Sequence, residues 1–140
     1  MFKTVLVPVD VALPDEARKI LTAAKKLTAP WDCDLHVMTV VPDVGMPIVG
    51  SYFDENQEDE SLAAAKVELH AAVDETGITP TKLYLHAGTV YDRVIRLAKK
   101  IDADLILISA HSPDLKDYLL GSNAARIVRH SQKSVLVLRI

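Results

Sequence analysis

The residues with the clearest chemical potential lie in the last quarter of the chain. An apolar run from Leu105 to Ile108 ends in Ser109-Ala110-His111-Ser112, and a polar segment then leads to Gly121-Ser122-Asn123. Small residues that end a strand and open a helix let an anion approach free backbone N–H groups at the positive end of the helix dipole. This segment predicts a phosphate site, to which His111 could add a donor. A loop that simply ends in a good helix cap is the alternative.

Asp10 is the other prominent polar residue, because it directly follows the first apolar run. A turn or helix-capping role and a ligand contact are equally consistent with its position. The chain has neither G-x-x-x-x-G-K-[ST] nor a G-x-G-x-x-G after the first strand, which argues against a P-loop nucleoside triphosphatase and a classical dehydrogenase. The five histidines are dispersed without metal-ligand spacing, so no metal site is expected. Cys33 lies between Asp32 and Asp34, which disfavours a thiolate, and is interpreted as inert.

Composition limits the class of protein. A length of 140 residues predicts a single domain spanning residues 1–140, and 49% hydrophobic with 25% charged residues is typical of a globular fold. A net charge of −3 provides no basic surface for DNA or RNA, so no nucleic-acid partner is expected. No apolar run reaches the roughly 18 residues of a membrane span, and no targeting segment is recognisable. The single cysteine fits a reducing compartment, and the expected location is the cytoplasm.

Hydrophobic spacing predicts an alternation of strands and helices. The long segment Asp43–Glu60 is rich in turn residues and then acidic, and it is predicted to be a loop. Within it, Tyr52 and Phe53 are candidates for a lid over a ligand. The acidic run Asp54–Glu60 is predicted to be a solvated segment that leads into the next helix. Gly77 is the predicted C-cap of the second helix. The predicted strands are Lys3–Val9, Asp34–Val41, Lys82–His86, Asp104–Ser109 and Ser134–Arg139, and the predicted helices run from Asp15 to Leu27, Ser61–Thr76, Val90–Ile101 and about Ser122–His130.

The order βαβαβαβαβ, with strands apolar on both faces, predicts an α/β fold, a doubly wound five-stranded parallel sheet of Rossmann-like type with helices on both faces. Ligands of such sheets bind outside the carboxyl ends of the strands, at the point where the strand order reverses. Three strand ends therefore become candidates: Pro8 to Asp10, Val40 with Val41, and Ser109 to Ser112.

With these elements in place, the chain resembles the universal stress protein family over essentially its whole length, and within it the short-loop subgroup. The resemblance rests on Thr4-Val5-Leu6-Val7-Pro8-Val9-Asp10, Thr39-Val40-Val41, Gly88, Ala103-Asp104-Leu105-Ile106, and the stretch from Leu119-Leu120-Gly121-Ser122-Asn123-Ala124 through Arg129-His130 to Ser134-Val135-Leu136-Val137-Leu138.

The resemblance implies a sheet like that of the adenine nucleotide alpha hydrolases, a homodimer paired through the C-terminal strand, and bound ATP, or ADP or AMP, with or without magnesium. Pro8-Val9-Asp10 would flank the adenosine, and Val40 would meet the adenine through its backbone. Ser109, Ala110 and Ser112, with His111 beside them, would line the ribose and phosphates. Gly121, Ser122 and Asn123 would hold the phosphate tail.

The chain departs from the family's ATP-binding pattern, G-x2-G-x9-G-[ST]. Ser109 and Ser112 replace the first two glycines, and eight residues rather than nine separate Ser112 from Gly121. A serine adds a Cβ that can obstruct the ligand and a hydroxyl that can bind it. The favoured interpretation is a nucleotide-binding regulatory module of the stress response that acts on an unidentified protein, with slow hydrolysis at most. A weak ATPase or autophosphorylating protein, and a dimeric interaction protein that no longer binds nucleotide, are the alternatives.

Overall fold

The computed structural model describes residues 1–42, 55–110 and 122–140, with the backbone alone for residues 55–59. Within these ranges, strands and helices alternate as the apolar spacing predicts. The strands are β1 Thr4–Val9, β2 Asp34–Pro42, β3 Lys82–Gly88, β4 Leu105–Ser109 and β5 Ser134–Leu138; the helices are α1 Pro14–Thr28, α2 Glu55–Thr76, α3 Val90–Lys100 and α4 Ser122–His130, and a short 3-10 helix, Ala29–Trp31, follows α1.

The five strands form one parallel sheet in the order β3-β2-β1-β4-β5. The chain builds outward from β1 through β2 to β3, and then crosses back to place β4 on the other side of β1. The strand order therefore reverses between β1 and β4, and the predicted doubly wound fold is confirmed. In such a sheet the crevice between these two strands is where ligands bind.

The core has two layers because the central strands are apolar on both faces. On one face Val5, Val7 and Leu107 pack with α1 and α2, and on the other Leu6 and Ile106 pack with α3 and α4. The helices bury only the side that faces the sheet, and none within the described ranges is long and apolar enough to cross a membrane.

A carboxylate joins the amino ends of β1 and β4. Asp104 Oδ2 accepts hydrogen bonds from the backbone N–H groups of Lys3, at 2.8 Å, and Thr4, at 3.0 Å. The Asp104 N–H in turn donates to the Thr4 carbonyl at 2.8 Å. These backbone donors hold the pKa of Asp104 below its usual value, because they stabilise the ionised form. The start of the chain is thereby fixed to the fourth strand.

Among the helices and strands, the start of α2 differs most from the prediction: the helix begins at Glu55 rather than at Ser61. Residues 55–60 are therefore helical and not part of a loop. They lack the apolar periodicity that marks a helix, although acidic residues suit a helix start. β3 extends to Gly88, where it still pairs with Pro42. The lid candidates Tyr52 and Phe53 lie outside the described residues.

Gly77 ends α2 as predicted. Its φ is +68°, the left-handed conformation typical of a glycine C-cap, and its N–H donates to the Val73 carbonyl at 3.2 Å. Gly88, at the end of β3, also has a positive φ, +137°, which is outside the region that other residues adopt readily. A Cβ at Gly88 would lie 2.8 Å from Nε of Arg93.

Candidate functional site

A cleft of about 400 Å³ opens at the carboxyl ends of the strands, at the point where the strand order reverses. Its walls come from the ends of β1, β2 and β4 and from the first turns of α1, α3 and α4. This volume is within the range of small-molecule sites in proteins, about 300–1,000 Å³. The described lining residues are Pro8, Val9, Asp10, Leu13, Glu16, Val40, Pro42, Val90, Ile108, Ser109, Ser122, Asn123, Ala124 and Ile127.

The parallel strands bring most of the predicted site residues together. Residues far apart in the chain meet here because β1 lies between β2 and β4, so their carboxyl ends are adjacent. The predicted residues that line the cleft are Pro8, Val9, Asp10, Val40, Ser109, Ser122 and Asn123. Their contact with a ligand stays a prediction.

The remaining predicted residues have a different status. Ala110 is described but is not among the residues that line the cleft. Its N–H donates to the Leu138 carbonyl at 2.9 Å, which continues the pairing of β4 with β5. His111, Ser112 and Gly121 lie outside the described residues.

Asp10 forms the turn that the sequence allows, and it also lies in the cleft wall. Its Oδ1 accepts a hydrogen bond from the Ala12 N–H at 2.9 Å, and its carbonyl accepts one from the Leu13 N–H at 3.1 Å. These bonds form the turn that leads from β1 into α1. The side chain is exposed and also lines the cleft, so its second carboxylate oxygen remains available to a donor on a ligand.

The first residues of α4 form the opposite polar wall. Ser122 and Asn123 open this nine-residue helix and are both exposed in the cleft. The first N–H groups of a helix have no partner within it, and they carry the positive end of the helix dipole. A hydroxyl and an amide side chain add donors of the kind that an anion accepts. This wall is suited to a negatively charged group, as the sequence predicts.

Several apolar cleft residues were not predicted. Leu13 is 44% exposed, and it lies on the cleft wall with Val90 and with Val40, which was predicted. Ala124 and Ile127 add one face of α4. Leu13 and Val90 flank or begin helices, so their place in the cleft follows from the strand order rather than from a local motif. Together these residues offer an apolar surface for a flat ring.

The charged side chains of the described cleft wall are carboxylates, Asp10 and Glu16. Glu16, in the first turn of α1, was also missed from the sequence, where its position resembles that of any acidic residue at a helix start. Within the described ranges, no three side chains of the metal-binding types lie close enough to hold a metal ion. The cleft thus offers carboxylate acceptors at the start of α1, donors at α4 and apolar surface between them.

Comparison with known proteins decides the family. The model of the universal stress protein family matches residues 1–139. The chain belongs to this family. It is 33% identical to Universal stress protein G of Salmonella typhimurium over 143 aligned positions, which cover 99% of the chain and 100% of that relative. Universal stress protein G of Escherichia coli O157:H7 is 32% identical over the same shares of both chains.

Solved structures show the same fold. A universal stress protein family member from Burkholderia pseudomallei superimposes with a TM-score of 0.72 at 23% identity, over 99% of this chain and 96% of that one. A universal stress protein crystallised in complex with cAMP gives a TM-score of 0.63 at 24% identity, over 99% and 97% of the two chains. The resemblance inferred from the sequence is confirmed for the family and for the fold.

Proposed function

We propose that this universal stress protein binds an adenine nucleotide, ATP in the first place, and acts as a regulatory module in the stress response. The observation that carries the proposal is the cleft between β1 and β4. It combines a carboxylate at Asp10, an apolar surface, and the N-terminus of α4 with Ser122 and Asn123. A nucleoside needs acceptors and apolar surface, and its phosphates need donors.

The arrangement suggests one orientation for the ligand. The adenine would lie against Val40 and Val90, and the ribose hydroxyls would donate to Asp10. The phosphates would point to Ser122 and Asn123, away from that carboxylate, because like charges repel. The structure of a family relative in complex with cAMP supports a nucleotide as the ligand class.

The proposed role is binding rather than rapid turnover. Phosphoryl transfer requires positive groups that stabilise charge in the transition state. The described cleft wall contributes carboxylates and neutral donors, which hold a nucleotide without stabilising that charge strongly. Magnesium, when it accompanies ATP, would be held mainly by the phosphates and by water, because the carboxylates of the described cleft wall lie on the side away from the phosphates.

We also propose that the protein is cytoplasmic and forms a homodimer through β5. β5 is the last strand of the sheet, and Val135 to Leu138 are only partly buried in the single chain. A second copy of β5 would cover this edge, which otherwise invites non-specific association.

Calorimetry on Ser122→Ala tests the phosphate assignment. The variant should bind ATP about 1.5–3 kcal/mol more weakly, the scale of a hydrogen bond to a charged group, and should bind adenosine with nearly unchanged affinity. Ser61→Ala, at an exposed position in α2, is the matched control and should leave both affinities unchanged. Equal losses for ATP and adenosine would refute the orientation. If neither ligand binds the unmodified protein, the nucleotide proposal itself is wrong.

A further inference from the structure

Three aromatic rings form a row on the β3 side of the sheet, on the face that α3 covers. The ring centroids of His36 and Tyr84 are 5.7 Å apart, and those of Tyr84 and His86 are 6.4 Å apart, with interplanar angles of 29° and 16°. Nδ1 of His36 and the hydroxyl of Tyr84 form a hydrogen bond of 2.9 Å. All three side chains are partly buried, and none of them lines the cleft. We call this set the ring row.

Three exposed cations surround the ring row. Lys82 Nζ lies 5.1 Å from the centroid of the Tyr84 ring, which is a cation–π distance. Burial lowers the pKa of His86, and the charges of Arg93 and Lys100 on α3 lower it further. None of the three cations forms an ion pair with a described residue.

Asp34 offsets the positive charge at the His36 end of the ring row, whereas only cations among the described residues act on the His86 end. Burial lowers the pKa of His36, an effect that Asp34 opposes and Lys82 reinforces. Asp92, on the same helix as the other two cations, pairs with Arg96 at 2.9 Å. The chain as a whole has a net charge of −3, whereas Lys82, Arg93 and Lys100 place three positive charges near the ring row.

β3 presents an unpaired edge beside this surface. It is the outer strand of the sheet and, within the described part of the chain, pairs only with β2. Lys82, Tyr84 and His86 alternate along it and therefore face the same side. A further strand added at this edge would place every second side chain beside them, with Cβ atoms about 4.5–5.5 Å apart.

We propose that the β3 edge is a docking surface for an extended acidic segment of a partner protein, added as a strand next to β3. Its alternate carboxylates would pair with Lys82 and Lys100, and its backbone would supply the hydrogen bonds that the outer strand lacks. Strand addition of this type obtains affinity from the main chain and specificity from alternate side chains. The inference is independent of nucleotide binding, because no residue of the ring row lines the cleft.

The simpler alternative is that Lys82 protects the β3 edge against association with the sheet of another molecule. Lysine on an outer strand prevents sheets from joining, and this needs no particular partner. Such protection requires charge alone, whereas here half-buried rings are stacked and hydrogen-bonded, and the cations beside them form no ion pair with a described residue. The two explanations differ in whether the order of charges along an added strand matters.

NMR titration of ¹⁵N-labelled protein distinguishes them. The probe is a short peptide of alternating glutamate and threonine, and the comparison peptide has the same composition with all glutamates at one end. The alternating peptide should shift the amide signals of Lys82–Gly88 and bind more tightly than the comparison peptide. Lys82→Glu with Lys100→Glu should weaken binding about tenfold or more, since attraction becomes repulsion at two sites. Lys19→Glu with Lys66→Glu changes the net charge equally at exposed positions on α1 and α2, and should have little effect.

Signals outside β3 and α3, equal binding of the two peptides, or equal losses in the two double variants would overturn the proposal. The absence of any shift at millimolar peptide would do the same. If reversing Lys82 and Lys100 instead made the protein self-associate while no peptide bound, the edge would be protective only.

Discussion

Replacement of Asp10 by Asn separates the structural role of this residue from its proposed role in binding. Asn retains a side-chain oxygen that can accept the hydrogen bond now made by the Ala12 N–H at 2.9 Å, but it has no charge. Ala removes the acceptor as well. Because the bond is exposed, its loss in Asp10→Ala should cost about 0.5–1.5 kcal/mol of the free energy of unfolding, and Asp10→Asn should cost little.

The effect on ligand affinity should follow a different pattern. If the Asp10 carboxylate accepts hydrogen bonds from the ribose, both variants should bind adenosine about 1.5–3 kcal/mol more weakly, the range for hydrogen bonds to charged groups. Urea unfolding measures the free energy of unfolding, and calorimetry measures the affinity for adenosine. An Asp10→Asn variant that binds adenosine like the unmodified protein would refute the contact. A loss of affinity that appears only in Asp10→Ala, in step with the loss of stability, would show that Asp10 acts through the turn alone.

Three further outcomes are expected. Val137→Lys should shift the protein towards monomer in analytical ultracentrifugation with an unchanged circular dichroism spectrum, and an intact dimer would place the interface elsewhere. Gly88→Ala should destabilise the protein by about 2–3 kcal/mol in urea unfolding. Gly77→Ala should cost about 1 kcal/mol, because its φ of +68° lies in the left-handed region, where alanine is strained less than at the +137° of Gly88. Equal losses would contradict this reasoning. The pKa of His86 is lowered in the folded protein, so its contribution to the free energy of unfolding should be full above about pH 6.5 and should decline as the pH falls through that value. His86→Gln should flatten this decline, measured by urea unfolding at several pH values. An unchanged slope in the variant would assign the decline to other groups.

Local signals in the sequence were sufficient to predict most of the helices and strands. α4 has the predicted bounds, Ser122–His130, because small polar residues mark its start in the sequence and basic residues mark its end. α2 was predicted too short, since its first turns are polar on every side and carry no apolar spacing. Helix propensity is not visible in apolar periodicity when a segment, such as residues 55–60, contains no apolar residues.

The cleft was predictable only in part. The strand-end residues Asp10 and Ser109 could be identified because parallel strands place their carboxyl ends at one edge. Leu13, Glu16 and Val90 could not, because they reach the cleft only through the strand order β3-β2-β1-β4-β5, which brings the starts of α1 and α3 to the same crevice. No local pattern distinguishes them from other residues near a helix start.

The position of β1 has a consequence for synthesis on the ribosome. β1 is translated first, yet one of its two neighbours is β4, joined through pairs such as Val5 with Leu105 and through the bonds of Asp104 to Lys3 and Thr4. Translation proceeds at roughly 5–20 residues per second, so the side of β1 that pairs with β4 stays unpaired for several seconds. During this interval the nascent chain exposes an apolar strand that will become the centre of the sheet. We expect this side of β1 to be the part of the emerging sheet most exposed to non-specific association until β4 has left the exit tunnel.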